Sequence, residues 1–316
     1  GERLIVTMPP DILFTAINGG RFCIYPDQWV LNRLYTDINE PKILVMKKIS
    51  LLALLALLTL GSVLTFNGCG GDDGRGGFNI FSIEDDVQLG RDLRDEVLAN
   101  PQEYPVLEES QNPEAYAYVR EIVDDILQSG EIKYNEEFAW EIYIIDDEET
   151  LNAFAAPGGY MFVYTGLIKF LQAKDDFVGV VGHEMAHADL RHSTQQLTQQ
   201  YGVATLLDLV LGEDQELLQN VLGTLLTLRF SRSDESQADE FSVIYLCETE
   251  YAANGAAGFF EQLINQGTGS PPEFLSTHPN PDNRVADINT EAEDRGCGMD
   301  YDSDSQEWEN FQNSLP

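Results

Sequence analysis

Basic residues and histidines are both scarce in this chain of 316 residues. It has 18 Lys+Arg against 54 Asp+Glu, which gives a formal net charge of −36, and it has only four histidines. Because phosphate binding requires a basic surface, so acidic a composition excludes nucleic acid as an expected partner. The histidines are unevenly placed, since three of the four lie in FVGVVGHEMAHADLRH, Phe177 to His192. This segment is therefore the first candidate for a functional site.

Long hydrophobic runs are also rare, and one of them stands near the start. MKKISLLALLALLTLGSVLTFNGCGGDDG has two lysines, then an apolar run, then a small residue before Cys69. This order predicts a lipoprotein signal peptide over residues 46–68, with Cys69 as the lipidated residue. The alternative is a transmembrane anchor, because the run is about long enough to span a bilayer.

The predicted signal divides the chain. A signal peptide acts from the N-terminus, so we expect translation to begin at Met46 and residues 1–45 to be a gene-call artefact; a genuine extension is the alternative. The Gly/Asp-rich start of residues 69–81 predicts a flexible tether. Residues 82–298 would then form the main domain and residues 299–316 an acidic tail. We expect the anchor to hold the protein in the bacterial cell envelope, at the outer membrane and facing the periplasm.

Cysteine is scarce as well, with four in the whole chain. Only Cys247 and Cys297 lie in the predicted exported domain. An oxidising compartment permits them to form a disulfide, and two free buried thiols are the alternative.

Local patterns predict a mostly helical domain with a small sheet. Serine or Asn-Pro signals open two early helices, and alternating aromatic and β-branched residues mark a strand. A Pro-Gly-Gly turn separates two further short strands, and an apolar stretch interrupted by Gly-Glu-Asp predicts a buried helical hairpin or a lid. The segments are Ser82–Asn100 and Asn112–Gly130 (helices), Phe138–Asp146 (strand), Asn152–Ile168 (strand pair), Val203–Leu228 (hairpin or lid) and a mostly helical remainder from Asp175 to Glu293.

The HEMAH motif contains the strongest chemical signal. His183 and His187 are four residues apart, so a helix places both imidazoles on one face, near enough to bind one metal ion. Glu184 is then available as the base that takes a proton from an attacking water. A surface helix with two histidines is the alternative. The apolar FVGVVG before the motif argues against it, because it predicts a buried helix in which unpartnered polar groups would be costly.

A third ligand must come from elsewhere, since catalytic zinc usually has three protein ligands. SRSDESQADEF offers Glu235, and Asp239 follows one helical turn later on the same face. A carboxylate there is well placed to accept the second N–H of a zinc-binding histidine. Solvated surface charge is the alternative for either residue in so acidic a chain. His192 is nine residues after His183, so a continuous helix would point it away from the ligands, as a structural or surface residue.

The chain resembles the HtpX and CAAX-prenyl-protease-like family of zinc metallopeptidases, within the gluzincins. Four blocks carry the resemblance, in the family's order: NAFAAPGGYMFVYTGLI, VVGHEMAHADLRH, SRSDESQADEF and STHPNPDNRV. The resemblance implies an α+β, mostly helical, zincin-like fold with a small antiparallel sheet beside the zinc-binding helix. No further transmembrane helix follows the signal, so the chain is more similar to the compact lipoprotein members.

The resemblance also implies a site. One Zn²⁺ would bind to His183, His187 and Glu235, with Glu184 as the base. Asp239 would not bind the ion but would support a residue that does. His278 and Arg284, from the Thr-His-Pro block, would lie at the active site. Asn152, Ala153 and Phe154 could form an edge strand that pairs with an extended polypeptide substrate, although ordinary sheet structure is an equal alternative. The expected function is an envelope zinc endopeptidase that cleaves misfolded or unassembled proteins; the alternative is a non-catalytic chaperone or assembly factor.

Overall fold

The computed structural model describes residues 79–201, 215–265, 273–279, 283–301 and 305–316. Eleven helices and three strands are described within these ranges. They are α1 (Ile83–Ala99), α2 (Pro113–Gln128), β1 (Glu141–Ile145), β2 (Ala153–Ala156), β3 (Tyr160–Tyr164), α3 (Thr165–Phe170), α4 (Lys174–Asp189), α5 (His192–Tyr201), α6 (Gln215–Leu226), α7 (Arg232–Leu246), α8 (Gly255–Asn265), α9 (Glu273–Thr277), α10 (Arg284–Arg295) and α11 (Ser305–Ser314).

Local sequence signals fix the ends of several helices. Ser82 and Asp85 form a capping box at the start of α1, and Ser231 and Asp234 form one at the start of α7. α2 opens with a proline, whose fixed φ suits the first helical turn. The two early helices predicted from these signals are therefore confirmed.

The three strands form one sheet in the order β1-β3-β2. β2 and β3 are antiparallel and flank a short 3₁₀ turn, Pro157–Gly159, as the Pro-Gly-Gly signal predicted. β1 runs parallel to β3. The α+β fold with a small sheet is thus confirmed, but the sheet is mixed rather than antiparallel. The reason is that β1 reaches β3 without a hairpin, through the crossover that contains β2.

Helix α4 lies at the centre of the domain, and every residue from Asp175 to Asp189 is buried. It packs against α7, α8 and β2. Gly179 permits the closest approach, because a Cβ there would lie 2.0 Å from the backbone nitrogen of Ala256 in α8. A helix buried on all sides has no polar face, which explains the absence of amphipathic periodicity in FVGVVGHEMAH.

The expected acidic tail, residues 299–316, contains a helix that packs into the domain. Trp308 of α11 is 1% exposed and belongs to the main core. Its indole N–H donates to the carbonyl of Leu171 at 3.0 Å, and Gln312 donates to the same carbonyl at 2.8 Å. The acidic residues lie on the outer face of this helix, whereas Trp308 and Phe311 lie on its inner face, and buried Leu315 follows the helix.

Other expectations fall outside the described residues. These are residues 1–45, the signal at 46–68, Cys69 and most of the tether, of which only 79–81 are described. The expected hairpin or lid is described only from α6 onward. Among the described residues, every helix falls short of the length and apolarity that crossing a membrane requires.

Cys247 and Cys297 form a disulfide across 50 residues of chain. It joins the end of α7 to the residue that follows the left-handed cap of α10, Gly296. Because α7 carries Glu235 and α10 begins with Arg284, the bond fastens together two helices that supply site residues.

We expect the double variant Cys247→Ser, Cys297→Ser to be less stable by up to about 4 kcal/mol, because a loop of this length is no longer closed in the unfolded chain. Urea denaturation under oxidising conditions measures the difference. Reductant should destabilise the wild type and leave the double variant unchanged. An equal response of both proteins would contradict the prediction.

A second prediction concerns Asp176 in the first turn of α4, where burial raises the pKa of the carboxyl to about 6. Its folded-state pKa lies above the unfolded value, so its contribution to stability is complete below about pH 4 and is lost as pH rises through 6. Asp176→Asn should therefore gain melting temperature relative to the wild type between pH 4 and pH 8. A constant difference across that range, measured by differential scanning calorimetry, would refute it.

Candidate metal centre

Four side chains from two helices and one loop converge on a single buried point. His183 and His187 come from α4, Glu235 from α7, and His278 from the residue after α9. One ligand atom from each lies within 4.8 Å of all the others, and all four residues are at most 1% exposed. The structure therefore brings together the three ligands predicted from the sequence and adds His278 to the same cluster.

The spacing within the cluster suits a tetrahedral ion. Nε2 of His183 lies 3.0 Å from Nε2 of His187 and 3.4 Å from Nδ1 of His278. Carboxylate oxygens of Glu235 lie 3.6 Å from His183 Nε2, 3.5 Å from His187 Nε2 and 3.1 Å from His278 Nδ1. Ligands about 2.0–2.1 Å from a tetrahedral zinc are about 3.4 Å apart, so these atoms fit such an ion.

Unsatisfied oxygens support the same conclusion. Both carboxylate oxygens of Glu184 and one of Glu235 are buried without a hydrogen-bond partner in the described structure. Glu184, Glu235 and Asp239 are three buried carboxylates, and Arg284 is the one buried guanidinium among the described residues beside them. A divalent cation would balance this excess of negative charge.

Glu184 lies beside the cluster without belonging to it. Its Oε1 is 3.5 Å from Nε2 of His278, and the side chain is 2% exposed. Burial raises the pKa of this carboxyl to about 7, against the opposing effect of His278. A carboxyl that exchanges a proton near neutrality is suited to general acid–base chemistry.

Asp239 supports the first histidine, as its position one turn after Glu235 predicted. Its Oδ1 lies 3.0 Å from Nδ1 of His183, on the side of the ring that faces away from the cluster. Burial opposes ionisation, but the charge of Arg284 and the bond to His183 outweigh it and lower the pKa of Asp239. The ionised carboxylate thus orients the ring of His183.

Arg284 is fully engaged inside the protein. Its Nε donates to Asp239 Oδ2 at 2.7 Å, and its Nη1 lies 2.8 Å from Glu235 Oε2, a close ion pair outside hydrogen-bond geometry. The guanidinium also lies over the ring of Phe260, 3.9 Å from its centroid. Arg284 therefore holds the two carboxylates of α7.

Burial and charge set the protonation of the remaining ligands. Burial lowers the pKa of His187 to about 3. For His278 burial opposes protonation, but the charges of Glu235 and Glu184 prevail and raise its pKa. Burial likewise opposes ionisation of Glu235, but His278 and His187 hold its pKa well below the usual range. Neutral His187 and ionised Glu235 have the forms that metal binding requires.

β2 is an edge strand of the described sheet, and its free side is partly unpaired. The N–H of Tyr164 donates to the carbonyl of Asn152, so hydrogen-bonded pairs alternate from that point. Asn152 and Phe154 direct their backbone groups toward β3, whereas Ala153 and Ala155 direct theirs to the edge. The N–H of Ala153 donates to the side chain of Asn152 at 3.0 Å. Ala155 is thus an edge residue that the sequence prediction did not include.

The expectation that His192 points away from the ligands is wrong. α4 ends at Asp189, and Arg191 adopts a left-handed conformation, φ 61°, before α5 begins at His192. His192 is 1% exposed, and its Nδ1 lies 2.9 Å from Nδ1 of His187. The prediction fails because it assumes a continuous helix, whereas the chain turns at Arg191. No glycine or proline in ADLRH marks this turn in the sequence.

A buried HExxH helix beside a small sheet, with a glutamate ligand from a later helix, defines a metallopeptidase of the zincin-like class. The comparison with protein families agrees. Residues 113–292, more than half of the chain, match peptidase family M48. The chain belongs to peptidase family M48, a family of metallopeptidases, as the resemblance implied.

Curated relatives lie in two groups. The chain is 32% identical over 146 residues to mitochondrial metalloendopeptidase OMA1 of Arabidopsis thaliana, across 46% of this chain and 30% of that protein. It is 27% identical over 222 residues to OMA1 of Schizosaccharomyces pombe, across 67% and 62%. It is 27% identical over 168 residues to the beta-barrel assembly-enhancing protease of Escherichia coli K12, across 48% and 34%. The chain spans less than two thirds of the length of each of these relatives.

We expect the chelator-stripped protein to gain thermal stability when Zn²⁺ is added, because an ion that binds only the folded state stabilises it by about 2.7 kcal/mol at 100 times its dissociation constant. Glu235→Gln should lose most of this gain. Glu240→Gln, an exposed change on the same helix, is the matched control. Equal gains in all three proteins, followed by scanning calorimetry, would exclude this cluster as the site.

Proposed function

We propose that this chain is a zinc-dependent endopeptidase of the bacterial cell envelope that cleaves misfolded or unassembled proteins. The observation that carries the proposal is Glu184, a carboxylate that is 2% exposed and lies beside four converging ligands. A purely structural metal site has no use for such a group. Structural zinc sites are closed by four ligands, whereas a hydrolase also needs a base next to the ion.

Zn²⁺ bound by His183, His187 and Glu235 would supply Lewis acidity toward the scissile carbonyl and favour ionisation of a nearby water. Glu184 would accept the proton of that water during attack and deliver it to the departing amine. Burial raises the pKa of Glu184 to about 7, so its carboxyl can exchange a proton near neutrality.

His278 has two candidate roles in the same site. Its Nδ1 faces the other ligands and its Nε2 faces Glu184. It can complete the metal's coordination when no substrate is bound, and it can donate to the carbonyl oxygen when substrate takes that position. Arg284 is better suited to positioning than to substrate contact, because its guanidinium is buried and forms ion pairs with Asp239 and Glu235.

The edge of β2 is the proposed place for the substrate backbone. Ala153 and Ala155 direct backbone groups to the free edge. Burial raises the pKa of Glu184, and the backbone of Ala155 is near enough to oppose that rise in part. An extended polypeptide added to this edge would therefore lie beside the base. This geometry favours unfolded or extended segments as substrates, and Asn152, Ala153 and Phe154 contribute by forming and bracing the strand.

The envelope location and the class of substrate rest on the relatives. The E. coli relatives are named a beta-barrel assembly-enhancing protease and metalloprotease YcaL. A role in quality control of the envelope is consistent with these names and with the lipoprotein signal expected at residues 46–68. We propose attachment to the outer membrane through lipidated Cys69, facing the periplasm.

Glu184→Gln should retain zinc and lose at least about 100-fold in the rate of casein cleavage, because the base is removed while the ligands stay. Glu240→Gln should cleave like the wild type. Metal analysis and a fluorescent casein assay on the same preparations give both quantities. Cleavage by Glu184→Gln at the wild-type rate would defeat the protease proposal, and full complementation of a deletion strain by this variant would favour a chaperone.

Cys69→Ser should release the protein from the membrane fraction, because the lipid-bearing residue is lost. Mass spectrometry of the mature wild type should find no peptide from before Cys69. Detection of such a peptide, or membrane retention of Cys69→Ser, would count against lipidation and in favour of a transmembrane anchor.

A further inference from the structure

His192 and Gln237 form a chain of contacts behind the second histidine of the HExxH motif. Nδ1 of His192 lies 2.9 Å from Nδ1 of His187, and Nε2 of His192 lies 3.3 Å from Oε1 of Gln237. Gln237 stands on α7, two residues after Glu235. These contacts therefore connect α4 to α7, the two helices that carry predicted ligands, without passing through the metal position.

The direction of each hydrogen bond follows from His187. Its Nε2 faces the cluster and must be unprotonated to bind an ion, so its Nδ1 carries the proton of the neutral ring. That N–H can donate only if Nδ1 of His192 is an acceptor. His192 then carries its own proton on Nε2, which matches the carbonyl oxygen of Gln237 as the final acceptor. One arrangement of protons thus gives each donor and acceptor in the series His187–His192–Gln237 a partner.

The backbone turn makes this arrangement possible. Arg191 holds a left-handed conformation, and its guanidinium donates to the carbonyls of Phe81 and Ser82 at 2.6 and 3.0 Å and to buried Asp86. A non-glycine residue in this conformation is retained where the surroundings stabilise it. Phe230 also stacks on the ring of His187, with centroids 4.0 Å apart. The plane of His187 and the direction of its Nδ1 are thus both constrained.

We propose that His192 is a positioning residue that orients His187 and fixes its tautomer for metal binding, with Gln237 as the group that holds His192. The inference rests on the proposed function of His187 as a metal ligand. It makes the two histidine ligands unequal: an ionised carboxylate, Asp239, supports His183, whereas a neutral imidazole supports His187. A carboxylate partner makes an imidazole a stronger base than a neutral partner does.

Three substitutions test this proposal. His192→Leu removes the acceptor for His187, and we expect zinc affinity to fall 10- to 100-fold. His192→Asn places an amide oxygen near the former Nδ1 and should recover most of the affinity. Gln237→Leu leaves His187 untouched and should weaken zinc binding several-fold, so it serves as the test if His192→Leu does not fold.

Gln196→Leu is the matched control. Gln196 lies on α5, like His192, and bridges to α7 through Asp234 at 2.9 Å, but it does not contact His187. Zinc affinity is measured by competition with a chromophoric chelator, and the visible spectrum of the Co²⁺-substituted protein reports ligand geometry. We expect the control to match the wild type and His192→Leu to show an altered cobalt spectrum.

The outcomes separate the two proposals. If the wild type binds no zinc, the proposed function fails and this inference fails with it. If the wild type binds zinc and folded His192→Leu has the same affinity and cobalt spectrum, the positioning role is wrong and the proposed function stands. Equal losses in His192→Leu and His192→Asn would also overturn it, because packing rather than an acceptor would then be what His192 provides.

A measurement without metal or activity tests the tautomer directly. The chain has four histidines, so the imidazole nitrogens give few signals in long-range ¹⁵N–¹H spectra. We expect the ring of His192 to be protonated at Nε2 and not at Nδ1 in the zinc-loaded protein. A proton on Nδ1 of His192 would refute the proposal.

Discussion

The folded domain must keep three carboxylates buried against one arginine. Glu184, Glu235 and Asp239 are each at most 6% exposed, and Arg284 holds two of them. Burying unpaired charge is among the most costly arrangements in a protein. The surrounding helices therefore do two things. They exclude water from the carboxylates, and they place histidines beside the carboxylate charge that Arg284 does not neutralise. A divalent cation would balance the excess of negative charge, and its binding would link the stability of the domain to its chemistry.

The same constraint explains the arrangement of the helices. α4 is apolar on every side because it passes through the middle of the domain, and its only polar side chains are those at its two ends and the site residues. α7 and α10 bring the compensating carboxylates and guanidinium to it, and the Cys247–Cys297 disulfide joins the ends of those two helices. The edge strand β2 packs against α4 beside these residues.

The sequence predicted the early helices and the strand pair, because each depends on short spacings, and the three residues that it predicted as ligands lie together in the structure. His183 and His187 share a face through helical geometry alone, and a capping box marks the start of the helix that carries Glu235. Three features could not be predicted. The parallel pairing of β1 depends on a contact with a strand that is distant in the sequence. The acidic residues around Trp308 predict an exposed tail, although Trp308 is buried. The position of His192 depends on a turn that no glycine or proline marks. Arg191 is stabilised in that turn by Asp86, which is 105 residues away.

The family comparison and the structure give different information about function. Membership of peptidase family M48 establishes the class of chemistry, while the relatives extend well beyond the region that they share with this chain. The structure adds the groups behind the ligands and at the edge of the sheet, which in this chain are Asp239, His192, Gln237 and Ala155.

The hydrogen bonds of Arg191 also connect the first helix to the site. The residues that open α1, with Asp86 in its first turns, hold the guanidinium of the residue between α4 and α5. The start of the first helix is thus joined, through the side chain of Arg191, to the turn that places His192 beside His187.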